Sequence, residues 1–476
     1  MIGTAISVGG LVTLRRKEMK FEKPKNDNYC ANIVMVKSIH PLEKCDNIQG
    51  TVVFGNQVIV GKNVKVGDVG VYFPPETQLS HKFISENNLY RHKELNKDQE
   101  KVGYLEDNGR VRVMKLRGHQ SAGMFLPLST FEFLNIPLDT FVVGSSFDKV
   151  GTVDICNKYI IQTKDVKLPG SKKQRRAIKE SKSIEGQFRF HQDTDNLGKN
   201  SHKISANDII SLTYKLHGTS VIISKLLCKK KLNWFYRGLR CCGISVVDTT
   251  YDNLYASRKV VKNDDMNFVA FNNPMGRQHF YSDDIWGLAN ERIIGLLENG
   301  MTAYAEIVGF LPNGEQIQKG YDYGCDPRAF EVYIYRLTFT NPSGVVFEFS
   351  AKQVQDWCKS RGLKPVPEMY YGRAIDFCNR DKYNASLFVG DNIVAELRED
   401  YLERDCHMCK NKVPMEGVVL RKEGIWCEAY KLKSFRFLEL ETKQLDKGEL
   451  NIEDNQEVED EDNRGPETDQ TSGQEN

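Results

Sequence analysis

The sequence predicts a multidomain, β-rich α+β protein in which a small N-terminal β-barrel precedes a larger α+β domain. Three observations lead there. A chain of 476 residues exceeds one ordinary domain and suits two or three. Short β-prone runs separated by tight turns crowd residues 29–150. From about Ile209 onward, longer β-rich segments alternate with a few helices. The expected organisation is an N-terminal extension (1–28), the barrel (29–150), a basic linker (151–205), the α+β domain (206–445) and a disordered acidic tail (446–476).

In the first domain the strand-like runs are Ile33 to Val36, Thr51 to Phe54, Gln57 to Val60, Val69 to Phe73 and Arg110 to Leu116. Gly55-Asn56 reads as a two-residue hairpin turn, because both residue types tolerate positive φ. Asp107-Asn108-Gly109 gives a second hairpin signal before the alternating Arg110-Val111-Arg112-Val113. About five short strands with such turns predict an OB-like barrel, the commonest small barrel among nucleic-acid-binding proteins. In the second domain, Ala351 to Arg361 reads as a helix with Val354, Trp357 and Cys358 on one face and Gly362 at its end.

Charge is unevenly spread. From Glu449 to the end there are 11 Asp or Glu and one Arg, a net of −10, so the total of +2 leaves +12 on residues 1–448. A basic folded part suits a polyanionic partner. The tail has too few aliphatic residues to offset its chain entropy. Residues 163–203 hold 11 Lys or Arg against 5 Asp or Glu, including SKKQRR at 171–176, a stretch able to contact phosphates or to serve as a solvated connection. No uncharged apolar run is long enough to cross a bilayer, and the opening stretch has its arginines after the apolar residues rather than before them. An intracellular, cytoplasmic location is the expectation. The twelve cysteines are scattered, as reduced thiols are; Cys406 and Cys409 have metal-ligand spacing but no second pair, which leaves a loop or a zinc knuckle.

The chemistry-bearing residues lie in the second domain. SLTYKLHGTSVIIS sets Lys215 between two β-prone runs, next to a glycine turn. Glu306 in AYAEIVGF and Glu416 in MEGVVLRK occupy otherwise apolar segments, where a carboxylate needs a metal, hydroxyl or cationic partner. In YKLKSF, strand alternation sends Lys431 and Lys433 to one face and Leu432 to the other. Together these residues describe a pocket with metal-binding acids, phosphate-binding bases and one candidate nucleophile.

KLHG, SR, EIVG, FEVYIYRL, EGVV and KLK, in that order over about 220 residues, resemble motifs I, Ia, III, IIIa, IV and V of the covalent nucleotidyltransferases. These are the polynucleotide ligases and RNA capping enzymes. His217 in the KxHG motif, where many members have Asp, is similar to the RNA ligase 2-like branch. The placement of the β module in front of the motifs, with NQVIVGKNVKVGDVGVYFP and VMKLRGHQSAGMFLPL, resembles RNA ligases with an N-terminal OB domain.

The resemblance implies an ATP-dependent RNA ligase that joins 3′-hydroxyl and 5′-phosphate ends through lysyl-AMP and AppN intermediates. Lys215 is then the nucleophile, and Lys431 and Lys433 neutralise phosphate charge. Glu306 and Glu416 hold Mg2+ or Mn2+, and Glu306 also contacts the nucleoside. Arg258 contacts ribose or the strand end, with Arg237 and Arg240 as rivals because an insertion follows Lys215. Tyr333 stacks on adenine, with Phe330 and Tyr335 as alternatives. His217 orients metal-bound water or the activated end. The implied partners are ATP and RNA, as a nicked duplex or broken strand ends, and a monomer is expected. Two other readings use the same residues: a capping guanylyltransferase working through lysyl-GMP, and a non-catalytic OB-type RNA-binding protein.

Overall fold

The computed structural model describes residues 21–161, 181–264 and 281–449, apart from 282, 380, 386, 425 and 426. The first twenty residues of the expected extension, the SKKQRR cluster and the acidic tail from 450 lie outside the described residues. The chain forms two compact units, one reaching Tyr159 without Phe54–Asn56, the other comprising Phe54–Asn56 and the chain from Ile160.

In the first unit the central antiparallel sheet runs Ser146–Phe147, Ala31–Met35, Val69–Phe73, Met124–Pro127. Alternation turns Ile33, Val71 and Phe73 inward, onto Phe83, Phe131 and Phe147. A three-stranded sheet of His40–Pro41, Ile48–Val53 and Asn56–Gly61 adds to it. The hairpin turn between the last two is Phe54-Gly55, one residue earlier than expected: these two residues take the positive φ values, 51° and 74°, and Asn56 already belongs to the strand. Of the alternating Arg110–Val113 run, Val111 and Val113 are buried, and so is Arg110. Its guanidinium bonds the buried Glu76 carboxylate at 3.0 Å and lies 4.9 Å over the Tyr159 ring, so its charge is matched within the core.

The second unit contains two sheets. One has the order Asp195–Asn196, Glu428–Lys433, Gly417–Lys422, Ile209–Lys215, Glu368–Arg373. The other runs Thr249–Ala256, Thr219–Lys229, Met301–Gly309, Phe330–Thr340, Val346–Glu348, with Lys364–Pro365 parallel to the fourth strand. Helices Ile285–Ile293 and Ala351–Ser360 cover the second sheet; Val354, Trp357 and Cys358 face its core, and a Ser350/Gln353 capping box starts the second helix. Of the stretch expected to be linker, residues 181–203 are folded here. Ser183 bridges Cys228, Lys182 bonds Asp252 at 3.0 Å, and Asp195–Asn196 extends the first sheet. Lys182 is thus tied to an acidic partner, and Lys203 lies 5.8 Å over the Tyr430 ring. All twelve cysteines are free. Among the described residues no helix is long and apolar enough to cross a membrane.

Candidate nucleotidyltransferase site

The chain passes from one sheet of the second unit to the other through Leu216, His217 and Gly218, and the candidate site is built around that passage. Lys215 ends its strand opposite Gly417, which in turn faces Lys433, so the three lie side by side across three strands. A Cβ on Gly417 would meet the Leu432 carbonyl oxygen at 2.2 Å, and only glycine allows this approach. Glu416, immediately before it, is buried and bonds the Lys215 Nζ through Oε1 at 2.6 Å. Its Oε2 is also buried and has no hydrogen-bond partner among the described residues.

Glu306, from the middle strand of the second sheet, accepts the Gly218 N–H through Oε1 at 3.0 Å. Gln318 donates to the Gly218 carbonyl at 2.7 Å. A Cβ at Gly218 would stand 2.2 Å from the Ile307 carbonyl oxygen. The turn is therefore clamped against the strand that carries Glu306, and both acids read from the sequence sit at the two ends of the Lys215–Gly218 segment.

His217 is buried, and its ring meets Tyr321 and Phe437 edge-on, with centroids 4.9 Å away in each case. Its backbone N–H donates to the Tyr323 hydroxyl at 2.6 Å. Burial pushes the Tyr323 hydroxyl well above its usual pKa. Tyr321, Tyr323, Phe437 and Gln318 escaped the sequence reading. The alternation of Tyr321 and Tyr323 in KGYDYG was the available signal, but nothing local connects it to Lys215.

Lys431 and Lys433 flank the fully buried Leu432, as alternation requires. Lys433 bonds both carboxylate oxygens of Glu441, at 2.8 and 3.0 Å, and lies 5.2 Å over the Phe437 ring. On the aromatic strand, Phe330, Val332 and Ile334 face the core, where Arg292 covers Phe330 at 3.6 Å. Tyr333 and Tyr335 share the opposite face, and Tyr333 pairs across the ladder with Glu306. The Tyr335 hydroxyl meets Ser220 at 3.4 Å and His191 at 3.3 Å; burial, then the Glu306 charge, pushes its pKa up. Arg258 bonds Asp193. It follows the strand end that faces Ile222, whereas Arg237 and Arg240 lie beyond the opposite end, where Lys229 faces Thr249.

Cys406 and Cys409 flank a turn in which the Cys409 N–H bonds the Cys406 carbonyl at 3.3 Å; among the described residues no three His, Cys, Asp or Glu side chains gather as a metal cluster. That turn is anchored by Asp322, which accepts the backbone N–H groups of Lys410 and Asn411, at 2.9 Å each, and of Gly324. Burial pushes the Asp322 carboxyl up, but these donors outweigh it and hold the group below the usual carboxylate range.

A family described as an OB-fold domain matches residues 30–128. The curated proteins yield no match. Among solved structures, the chain is similar to variants of the Naegleria gruberi RNA ligase. A lysine-to-methionine variant with AMP and Mn is 17% identical, with a TM-score of 0.50 over 86% of this chain and 98% of that one. A glutamate-to-alanine variant with AMP and Mn is also 17% identical, with a TM-score of 0.51 over the same shares. A lysine-to-alanine variant with ATP and Mn is 17% identical, with a TM-score of 0.50 over 88% of this chain and 99% of that one. The architecture is thus an N-terminal OB fold followed by an α+β domain resembling the nucleotidyltransferase fold of RNA ligases.

Proposed function

We propose that the protein is an ATP-dependent RNA ligase that works through a lysyl-AMP intermediate on Lys215. The observation that carries this reading is the contact of Lys215 with the buried Glu416, whose second oxygen has no hydrogen-bond partner among the described residues. A lysine placed on a strand for stability alone has no need of a buried, half-satisfied carboxylate. The fold likeness to RNA ligases described with AMP, ATP and Mn supports the same reading.

Lys215 attacks the α-phosphorus of ATP; an N–P bond forms, the bond to pyrophosphate breaks, and Glu416, 2.6 Å from the amine, accepts the ammonium proton. AMP then passes to a 5′-phosphate, and a 3′-hydroxyl displaces it. Lys431 and Lys433 neutralise phosphate charge. Tyr333, on the ladder beside Glu306, stacks on adenine, and Arg258 contacts the ribose or strand end. Glu306 holds the Gly218 turn, which fixes the direction of Lys215. His217, packed against the Tyr321 and Phe437 rings, positions that turn. The buried second oxygen of Glu416, without a hydrogen-bond partner among the described residues, fits a divalent cation, so Glu416, with Glu306, would hold Mg2+ or Mn2+. Bound there, the cation supplies charge neutralisation at the phosphates. The OB fold grips the RNA.

Sealing of nicked and single-stranded RNA, with ATP or GTP as the donor, tests the proposal. Joined RNA with ATP alone is expected. Capped 5′ ends with GTP would favour a guanylyltransferase, and neither product would leave an RNA-binding protein.

A further inference from the structure

Strands Thr219–Lys229 and Thr249–Ala256 pair as an antiparallel hairpin, with Lys229 facing Thr249. Residues 230–248 connect them, far more chain than the roughly two to five residues of an ordinary hairpin loop. Long connections of this kind are commonly functional. This one contains a helix, Trp234–Cys241, capped by the Asn233 side chain and with no buried residue. Trp234 is 84% exposed, and Phe235 and Tyr236 are exposed beside it. Hydrophobic burial therefore does not explain why three aromatic residues stand together here. Lys229, Lys230, Lys231, Arg237 and Arg240 flank them in sequence, all exposed, and the chain from Leu226 to Val247 contains no Asp or Glu. The nearest acid in sequence, Asp248, bonds Arg240 at 3.3 Å.

We propose that this insertion is a stacking platform for single-stranded RNA, a second contact site outside the adenylylation pocket. Exposed rings accept unstacked bases, and the five cations follow the phosphates; this combination marks single-strand binding surfaces. The rings of Trp234 and Phe235, and of Phe235 and Tyr236, meet edge to face with centroids 6.1 and 5.8 Å apart, so together they form one aromatic surface. An anionic membrane surface is the competing partner for aromatic and basic residues, and the vesicle arm of the test below separates it from RNA.

The position of the platform adds a length requirement, and this part rests on the ligase reading. Thr219 begins its strand four residues after Lys215, and the strand runs eleven residues to Lys229. At about 3.3 Å per residue the platform stands roughly 35 Å from the lysine turn along the sheet. Nucleic-acid strands advance about 3.4 Å per nucleotide, so the platform meets the strand roughly ten nucleotides from the joint.

The test uses the full chain and a fluorescein-labelled 20-nucleotide single-stranded RNA. Trp234→Ala/Phe235→Ala is expected to weaken binding about tenfold or more, with AMP labelling of Lys215 unchanged. In the wild type, oligouridylate should quench tryptophan emission, and Trp234→Phe should remove most of that quenching while preserving a ring. This second readout holds even where the double variant folds poorly. Equal RNA affinity in a folded double variant, or quenching that survives Trp234→Phe, overturns the platform. So does a Trp234 emission shift with phosphatidylserine vesicles in the absence of any response to RNA. Should AMP labelling be missing from the wild type as well, the ligase reading fails, and RNA affinity still decides the platform by itself.

Discussion

Lys215 and Glu416 form an ion pair of 2.6 Å in which the glutamate is buried and the lysine is about one quarter exposed. The pair is asymmetric: one carboxylate oxygen is bonded to the lysine, while the other is buried without a hydrogen-bond partner among the described residues. An arrangement made for stability would satisfy both oxygens, because an unmatched buried acceptor costs about 1–3 kcal/mol. The arrangement instead leaves acceptor capacity next to the amine.

Glu416→Gln preserves the shape and removes the charge. Loss of AMP transfer by at least about 100-fold is expected, with a melting temperature within a few degrees of wild type. Single-turnover labelling and calorimetry of the same sample check this, and labelling at the wild-type rate would remove Glu416 from the mechanism.

Gly218→Ala keeps Lys215 and both acids yet places a methyl group 2.2 Å from the Ile307 carbonyl oxygen. The turn must move off the Glu306 strand, and the N–H bond to Glu306 goes with it. Labelling should fall by about the same factor as for an acid variant, since a small misplacement of a reacting group is that costly, roughly 100-fold. Labelling at the wild-type rate by Gly218→Ala would show that the clamp is irrelevant.

Tyr323→Phe deletes the hydroxyl that accepts the buried His217 N–H. The orphaned donor should cost about 1–3 kcal/mol in urea unfolding. An unchanged unfolding midpoint would mean that the N–H finds another acceptor.

How much of this was legible beforehand differs from residue to residue. Lys431-Leu432-Lys433 could be placed on two faces of a strand because alternation is a local property. The helix at Ala351 was equally readable from its apolar spacing and the glycine that ends it. Tyr323 and Phe437 were not, since they reach His217 from segments far along the chain, and only the folded sheets bring them together. Phe330 stood open as an adenine-stacking candidate, because the FEVYIYRL strand does not announce which face is core. The register with Gly309 and the cover by Arg292 decide that. Residues 181–203 read as linker because their edge pairing depends on strands that come later in sequence.

Asp322 ties the Cys406–Asn411 turn to the segment that carries Tyr321 and Tyr323. Its folded pKa is held below the unfolded value of about 3.9. The stability it contributes is therefore present above that value and lost as pH falls through the folded pKa. Asp322→Asn should lower stability at pH 7 and flatten the decline below about pH 4. Urea unfolding at both pH values checks the sign, and a variant with an unchanged acid slope would exclude Asp322 as a contributor.

The proposed ligase chemistry requires that Lys215 carry AMP. Incubation of the full chain with α-labelled ATP and Mg2+ or Mn2+, followed by a denaturing gel and mapping of the labelled peptide, measures it directly. Label on Lys215 from ATP is expected, with none from GTP and none in Lys215→Ala. Full labelling of Lys215→Ala, or label from GTP in preference to ATP, would contradict it.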